Sequence, residues 1–176
     1  VGSNEEKQLQ LLMEARLLTA LRHRNIVTVF GVVIENNVVM VLLGRMENGD
    51  LKTYLRACRP TVKIRKEVLG VRELLHITTA VADACIFLSS AKVIHRGLMA
   101  HNVLVGVDHH DVQLSGFDCT RAVFGEDDYV STSAAASVKA SNQLGIQWKA
   151  VETIQLNTYT SKSDVWSFAG PLLCCT

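Results

Sequence analysis

Leu9, Leu12, Met13, Leu17 and Leu21 recur every three or four residues, the interval of one helix face, and predict a helix over residues 4–21. Ser3 and Glu6 stand at capping-box spacing at its start, where the first turn is also acidic. The period then switches. Residues 26–34 and 38–43 are β-branched or apolar runs separated by Glu35-Asn36-Asn37, the pattern of an antiparallel hairpin. Residues 46–50, MENGD, read as a polar turn whose last residue, Asp50, is placed to cap a short helix ending at Ala57. Residues 59–70 are basic and contain Pro60, which predicts a loop. Val71, Leu74, Leu75, Val81, Cys85 and Leu88 then mark the apolar stripe of a long, mostly buried helix running to about Ser90.

Residues 103–107 and 112–117 flank Asp108-His109-His110-Asp111 as a second, smaller hairpin. Two histidines between two acids raise a metal reading, but neighbouring side chains normally point apart, so a solvated turn is the expectation. Residues 119–149 are rich in small side chains and have no period, as in long loops that are functional or mobile. An apolar helix starts near Ser167. The order of helix, hairpin, helices, small hairpin, long loop and helix predicts an α+β fold, strand-bearing first and helical afterwards. The polar turn at 46–50 is the expected hinge.

Composition narrows the function classes. With 18 basic and 17 acidic residues among 176, there is no electrostatic case for nucleic acid or a membrane surface as the main partner. Five cysteines, Cys58, Cys85, Cys119, Cys174 and Cys175, form no CxxC pair, so a reducing, cytoplasmic setting is expected rather than a zinc cage or a disulfide framework. No apolar run approaches the roughly 20 residues of a membrane span, and VGSNEEKQ has no signal-peptide pattern. The chain has no initiator methionine and reads as a fragment of a longer protein.

The chemistry-bearing stretches are VIHRGLMAHNVLV at 93–105, SGFD at 115–118, WKAVE at 148–152 and TSKSDVWSF at 160–168. In this order and spacing they resemble the catalytic loop, metal-binding loop, substrate loop and central helix of protein kinases. Met99 and IQWKAVE are similar to the tyrosine-kinase type, and GDLKTYLRACRP at 49–60 resembles the segment after the hinge in receptor tyrosine kinases. The resemblance implies a truncated bilobal kinase fold: a partial N-lobe at 1–45 with one helix and a β-hairpin, a hinge region at 46–50, and a partial helical C-lobe at 51–176. The family's glycine-rich phosphate loop and lysine strand belong before residue 1.

Carried over residue by residue, the resemblance implies a nucleotide site that includes Leu104, with Leu43 at its back, Gly44 to Met46 as hinge and Glu14 pairing the nucleotide-binding lysine. His95, Arg96 and Asn102 fall in the catalytic loop, with Asn102 also a metal ligand. Leu18, Val29, His95 and Phe117 fall on the apolar spine that joins the lobes. Asp164 falls where the family fixes the His-Arg backbone, although an acid near a helix N-terminus is also favourable with the dipole alone. Glu152 falls at the acid of the substrate-loop motif, here Ala150-Val151-Glu152. Tyr129, after three acids, is either a phosphorylated activation-loop tyrosine partnered by Arg96 or an exposed loop tyrosine.

The departures are in the acids. The family's catalytic aspartate, which accepts the substrate proton, is Gly97 here. General-base assistance is worth about 10²- to 10⁴-fold in rate. The metal-binding aspartate is Gly116, and the available acid, Asp118, comes two residues late. Two extended residues span roughly 6.5 Å, whereas Mg²⁺ holds its oxygens at about 2.0–2.1 Å. His101 replaces the arginine that tyrosine kinases place before the loop asparagine. The reading is a tyrosine-kinase-like pseudokinase acting in signalling on protein partners, an active kinase or an adaptor, from the cytoplasm or the intracellular part of a receptor. ATP and Mg²⁺ are implied by the family only. The alternatives are an active tyrosine kinase in which Asp118 or Asp108 substitutes, and a truncated product without a stable fold.

Overall fold

The computed structural model describes residues 4–36, 38–59, 68–117, 120–122, 128–130 and 146–173. Helix α1, Asn4–Ala20, forms over the expected range, although its apolar side chains are not gathered on one face. Its buried side is Ala15 and Leu18, continued by Leu21, whereas Leu9 and Met13 of the expected stripe are exposed. A helix buries only what a neighbour covers, and among the described residues the cover reaches the second half of α1. Ser3, the expected cap, lies outside the described residues.

Strands β1, Val29–Glu35, and β2, Val38–Leu43, pair antiparallel from Glu35 opposite Val38 to Val29 opposite Leu43. Asn36 turns the hairpin at a φ of 49°, a left-handed conformation that asparagine tolerates. The expected strand over 26–34 begins three residues late. Ile26 instead forms a parallel bridge with Leu114, and the Val27 N–H donates to the Leu114 carbonyl at 2.9 Å. The Leu114 N–H donates to the Asn25 carbonyl at 2.8 Å, and the Asn25 side-chain amide donates to the Val112 carbonyl at 2.8 Å. The apolar run was legible in the sequence, but its partner was not: residues 25–27 tie the first part of the chain to the second hairpin.

That hairpin is β5, Val103–Val105, and β6, Val112–Leu114, and it gains a third strand, β3, Gly49–Asp50, in the order β3-β5-β6. The segment expected as a turn is therefore partly a strand. Asp50 then caps α2, Leu51–Ala57, as its position predicted: one carboxylate oxygen accepts the Thr53 N–H at 3.0 Å and the other its hydroxyl at 2.7 Å. Helix α3, Val71–Ser90, starts where the Gly70 N–H donates to Glu73 at 2.8 Å. It buries Ile77, Ala80, Val81, Ala84 and Leu88, while Val71 and Leu75 at its start are exposed, so the burial expected along its whole stripe holds only in its later turns.

The long stretch expected as a loop holds order too short to leave a period. β4, Val93–Ile94, pairs with β7, Arg121–Ala122, and β8, Asp128–Val130, pairs with β9, Thr158–Thr160. A 3₁₀ turn, Ile146–Trp148, leads into α4, Val151–Leu156, which Asn157 ends at a φ of 53°. Helix α5, Ser161–Leu173, is set by reciprocal capping: the Thr160 hydroxyl accepts the Ser163 N–H at 3.0 Å, and the Ser163 hydroxyl accepts the Thr160 N–H at 2.9 Å. Trp148 packs its ring directly on Gly170 of α5, where a methyl group would overlap it.

One apolar core joins Leu18 and Leu21, Ile26 and Val27, the inner faces of α2 and α3, the second hairpin and Phe117. The first hairpin stands outside it, with Phe30 75% and Ile34 66% exposed. Among the described residues no helix is long and apolar enough to cross a membrane. Asn25→Ala removes the side-chain bridge to Val112 and leaves a buried carbonyl short of a donor; it is expected to lower unfolding stability by about 1–3 kcal/mol in urea denaturation, with an unchanged m-value.

Candidate functional site

Strand β4 delivers the chain into a tight turn at His95, Arg96 and Gly97. Arg96 has a φ of 66°, the sparsely populated left-handed region, which costs a non-glycine residue roughly 1–2 kcal/mol. Asp164, in the first turn of α5, fixes this backbone: its two carboxylate oxygens accept the His95 N–H at 2.7 Å and the Arg96 N–H at 3.0 Å. Burial pushes the Asp164 carboxyl up to about 6, against the two hydrogen bonds and the Arg96 charge, which favour its ionised form.

The His95 ring is fully buried and held at both nitrogens. Its Nδ1 accepts the Gly97 N–H at 3.1 Å, which assigns the ring proton to Nε2, where it is donated to the Ser115 carbonyl at 2.9 Å. The ring meets Phe117 edge-on, with centroids 4.7 Å apart. The Thr120 hydroxyl donates to the His95 carbonyl at 3.2 Å. Arg96 is also buried, its guanidinium carbon 4.0 Å from the centroid of the Tyr159 ring. Tyr159 lies opposite Tyr129 in the β8–β9 pair, so the backbone of the predicted phosphorylation site comes one strand away from the Arg96 stack. Sequence reasoning missed Tyr159, whose role depends on a cross-strand pairing that leaves no local signal.

Asn102 closes the site. It sits at the end of the 3₁₀ turn Ala100–Asn102, and its side-chain amide donates to the Gly97 carbonyl at 2.7 Å. Its own carbonyl accepts the Ser115 N–H at 2.7 Å and the Ser115 hydroxyl at 3.1 Å. Gly116 follows at a φ of 78°, a conformation that favours glycine. A Cβ placed on Gly116 would lie 2.5 Å from Asn102 Nδ2 and 2.6 Å from its Oδ1. At Gly97 a Cβ would lie 3.3 Å from Asn102 Nδ2 and 3.4 Å from His95 Nδ1, which is tight but accessible with a small shift. The two glycines thus face one asparagine, and only Gly97 has room for a side chain.

Of the side chains expected to hold a divalent cation, the described residues include one, Asn102. Mg²⁺ needs near-octahedral oxygen ligands at about 2.0–2.1 Å, usually with one or two carboxylates. Gly97 and Gly116 supply none, Asn102 donates to the Gly97 carbonyl through Nδ2 and not through its Oδ1, and Asp118 lies outside the described residues. Among the described residues no three His, Cys, Asp or Glu side chains form a group able to hold a metal. That includes the second hairpin turn. There the rings of His109 and His110 do not point apart as expected but approach to 4.1 Å, with His76 of α3 at 4.6 Å from His110.

The remaining expected residues are spread around this centre. Leu18 and Phe117 are buried in the common core, and Val29 packs against it. Glu14 is half-buried on α1, and Leu43 is exposed at the end of β2. The Gly44 N–H donates to the Thr28 carbonyl at 2.9 Å, and the Met46 carbonyl accepts the Gly49 N–H at 3.1 Å. Leu104 lies on β5 between Asp50 and Gln113, and Glu152 in the first turn of α4.

Comparison with known proteins places these residues in context. The model of the protein tyrosine and serine/threonine kinase family matches residues 1–173. The chain is 30% identical over 171 residues, 95% of its length, to the proto-oncogene tyrosine-protein kinase ROS of Rattus norvegicus, and covers 7% of that protein. It is 32% identical to the high affinity nerve growth factor receptor of Gallus gallus, covering 93% of the chain and 21% of the receptor. The NT-3 growth factor receptor of Mus musculus is 34% identical over 88% of the chain and 19% of the receptor.

Gly116→Asp is expected to destabilise the protein by about 1–3 kcal/mol in urea denaturation, and Gly97→Asp by less, because only the former combines a positive φ with overlap on Asn102. Asp164 gives a pH signature. Its carboxyl, ordinarily at 3.8, holds its proton to about 6 in the folded state, so between these values the folded state binds more protons and stability falls as pH rises. Asp164→Asn takes up no such proton, so the stability gap between wild type and variant should widen by about 1–3 kcal/mol on going from pH 6 to pH 4. A gap that narrows on acidification would contradict the raised value.

Proposed function

The chain belongs to the protein tyrosine and serine/threonine kinase family and carries a domain of tyrosine-kinase type, and from that premise we propose that it is a pseudokinase which signals by binding or allostery rather than by phosphoryl transfer. The observation that carries this reading is the pair Gly97 and Gly116 around Asn102. Both acid positions of the resemblance are side-chain-free, and the volume beside Gly116 is filled by the Asn102 amide. The substrate proton therefore has no acceptor at Gly97, a loss of about 10²- to 10⁴-fold by itself, and Gly116 offers no carboxylate to a cation.

What remains is a frame. Asp164, His95 and Phe117 hold the turn rigidly while carrying no reacting group, as suits a surface presented to a protein partner such as an active kinase or a signalling adaptor. In this reading residues 1–45 and 51–176 are the parts of two lobes joined at 46–50, and the domain works on the cytoplasmic side of a membrane or in the cytoplasm. An active tyrosine kinase using Asp108 instead has no contact in its favour: Asp108 is exposed in the hairpin turn and accepts the His110 N–H at 2.8 Å.

The test uses the full-length protein. ATP is expected to shift its melting temperature equally, or not at all, with and without Mg²⁺, and labelled phosphate transfer to a tyrosine peptide should stay at background. Transfer above background, or nucleotide binding that tightens with Mg²⁺, overturns the reading.

A further inference from the structure

Helix α2 and its end carry Lys52, Leu55, Arg56 and Arg59 at positions i, i+3, i+4 and i+7, one helical face. That face lines a groove of about 280 Å³ whose opposite wall is Met99, His101 and Trp148. The groove is unusual for a chain of net charge +1: it holds three fixed cations and an imidazole, and among the described residues no acid lines it. Among the described residues Lys52, Arg56 and Arg59 form no salt bridge. Asp50, which faces His101 from the head of α2, is committed to the Thr53 N–H and hydroxyl. The sequence leaving the groove at Arg59 continues with Lys63, Arg65 and Lys66 against one acid, Glu67.

We propose that this groove binds a phosphorylated tyrosine side chain of a partner protein. The chemistry selects both halves of that ligand. Like charges gathered in so small a space repel unless an anion lies among them, and a phosphate carries about 1.5–2 negative charges with three strong acceptor oxygens at neutral pH. Arginines meet such oxygens in bidentate fashion. The remaining walls, Leu55, Met99 and Trp148, are apolar and suit an aromatic ring. Trp148 is a fixed wall, because its ring is packed on Gly170 and its carbonyl accepts the Ser167 hydroxyl at 2.8 Å. A ring of this kind loses little freedom when a ligand stacks on it. A phosphoserine or a glutamate would reach the cations without covering the apolar wall.

The inference names the partner chemistry of the binding role proposed above and rests on that reading. It uses none of Gly97, Gly116 or Asn102, so the two fail separately: Mg²⁺-dependent transfer would end the first, and the peptide measurements below decide the second.

Fluorescence polarisation of the full-length protein with a fluorescein-labelled peptide, Ala-Gly-phosphotyrosine-Val-Ala, supplies the test. Binding is expected at least about tenfold tighter than that of the tyrosine, phosphoserine and glutamate counterparts, and weaker as salt is raised. Arg56→Gln and Arg59→Gln, both at exposed positions, should each weaken it about tenfold with unchanged melting temperature. Lys52→Gln serves as a third variant should either fail to fold. Equal binding of the unphosphorylated peptide overturns the proposal. So does equal binding of the phosphoserine or glutamate peptide, which makes the groove a general anion surface, and so does affinity unaffected by loss of these cations.

Discussion

The carboxylate of Asp164 is the contact on which the site depends. A left-handed Arg96 does not hold itself, and a buried imidazole has no reason of its own to keep one orientation. Two backbone N–H groups donated to one carboxylate fix the first, and the Gly97 N–H and Ser115 carbonyl fix the second. Because Asp164 begins a helix whose start is locked by Thr160 and Ser163, the turn at His95 is referred directly to α5 rather than to the loop around it. Desolvation makes that contact costly to keep ionised, so it is strong in position but sensitive to pH.

The absence of acids at Gly97 and Gly116 is more than a loss of two side chains. The backbone at Gly116 has taken a conformation that glycine allows, and the Asn102 amide occupies the volume beside it while bonding the Gly97 carbonyl. Gly97, Asn102 and Gly116 therefore form one coupled unit, in which a side chain added at either glycine meets the same asparagine. Close packing makes such a change discrete: a side chain at Gly116 requires Asn102 to leave its hydrogen bond first.

Stability is distributed unevenly around this unit. The second hairpin, α2, α3 and residues 25–27 share one apolar core with Phe117, whereas the first hairpin keeps large apolar side chains in solvent on both faces. The link between the two regions is short and polar at its edge, through Asn25 and the Leu114 backbone, and apolar at its centre, through Ile26 and Val27. The cationic face of α2 lies on the well-packed side, where a binding groove gains from rigidity.

Elements with a long period or a local cap could be read from the order of residues: α3 from its later apolar turns, the two hairpins from their β-branched runs, α2 from Asp50, and α1 in its extent though not in its buried face. The glycines at 97 and 116 were legible as well, at the positions where the resemblance leads one to expect acids. Tertiary structure alone decided what those positions mean. Which residues cover which face was illegible: Val71 and Leu75, expected in the core, lie in solvent, as do Leu9 and Met13 of the α1 pattern. The two- and three-residue strands β3, β4, β7, β8 and β9 are shorter than any period and exist only because a partner strand passes by. The stacking of Arg96 on Tyr159 and the filling of the Gly116 space by Asn102 join residues far apart or in adjacent turns. A sequence records side-chain identity and local interval, but hydrogen-bond partners and excluded volume are fixed only when distant segments meet.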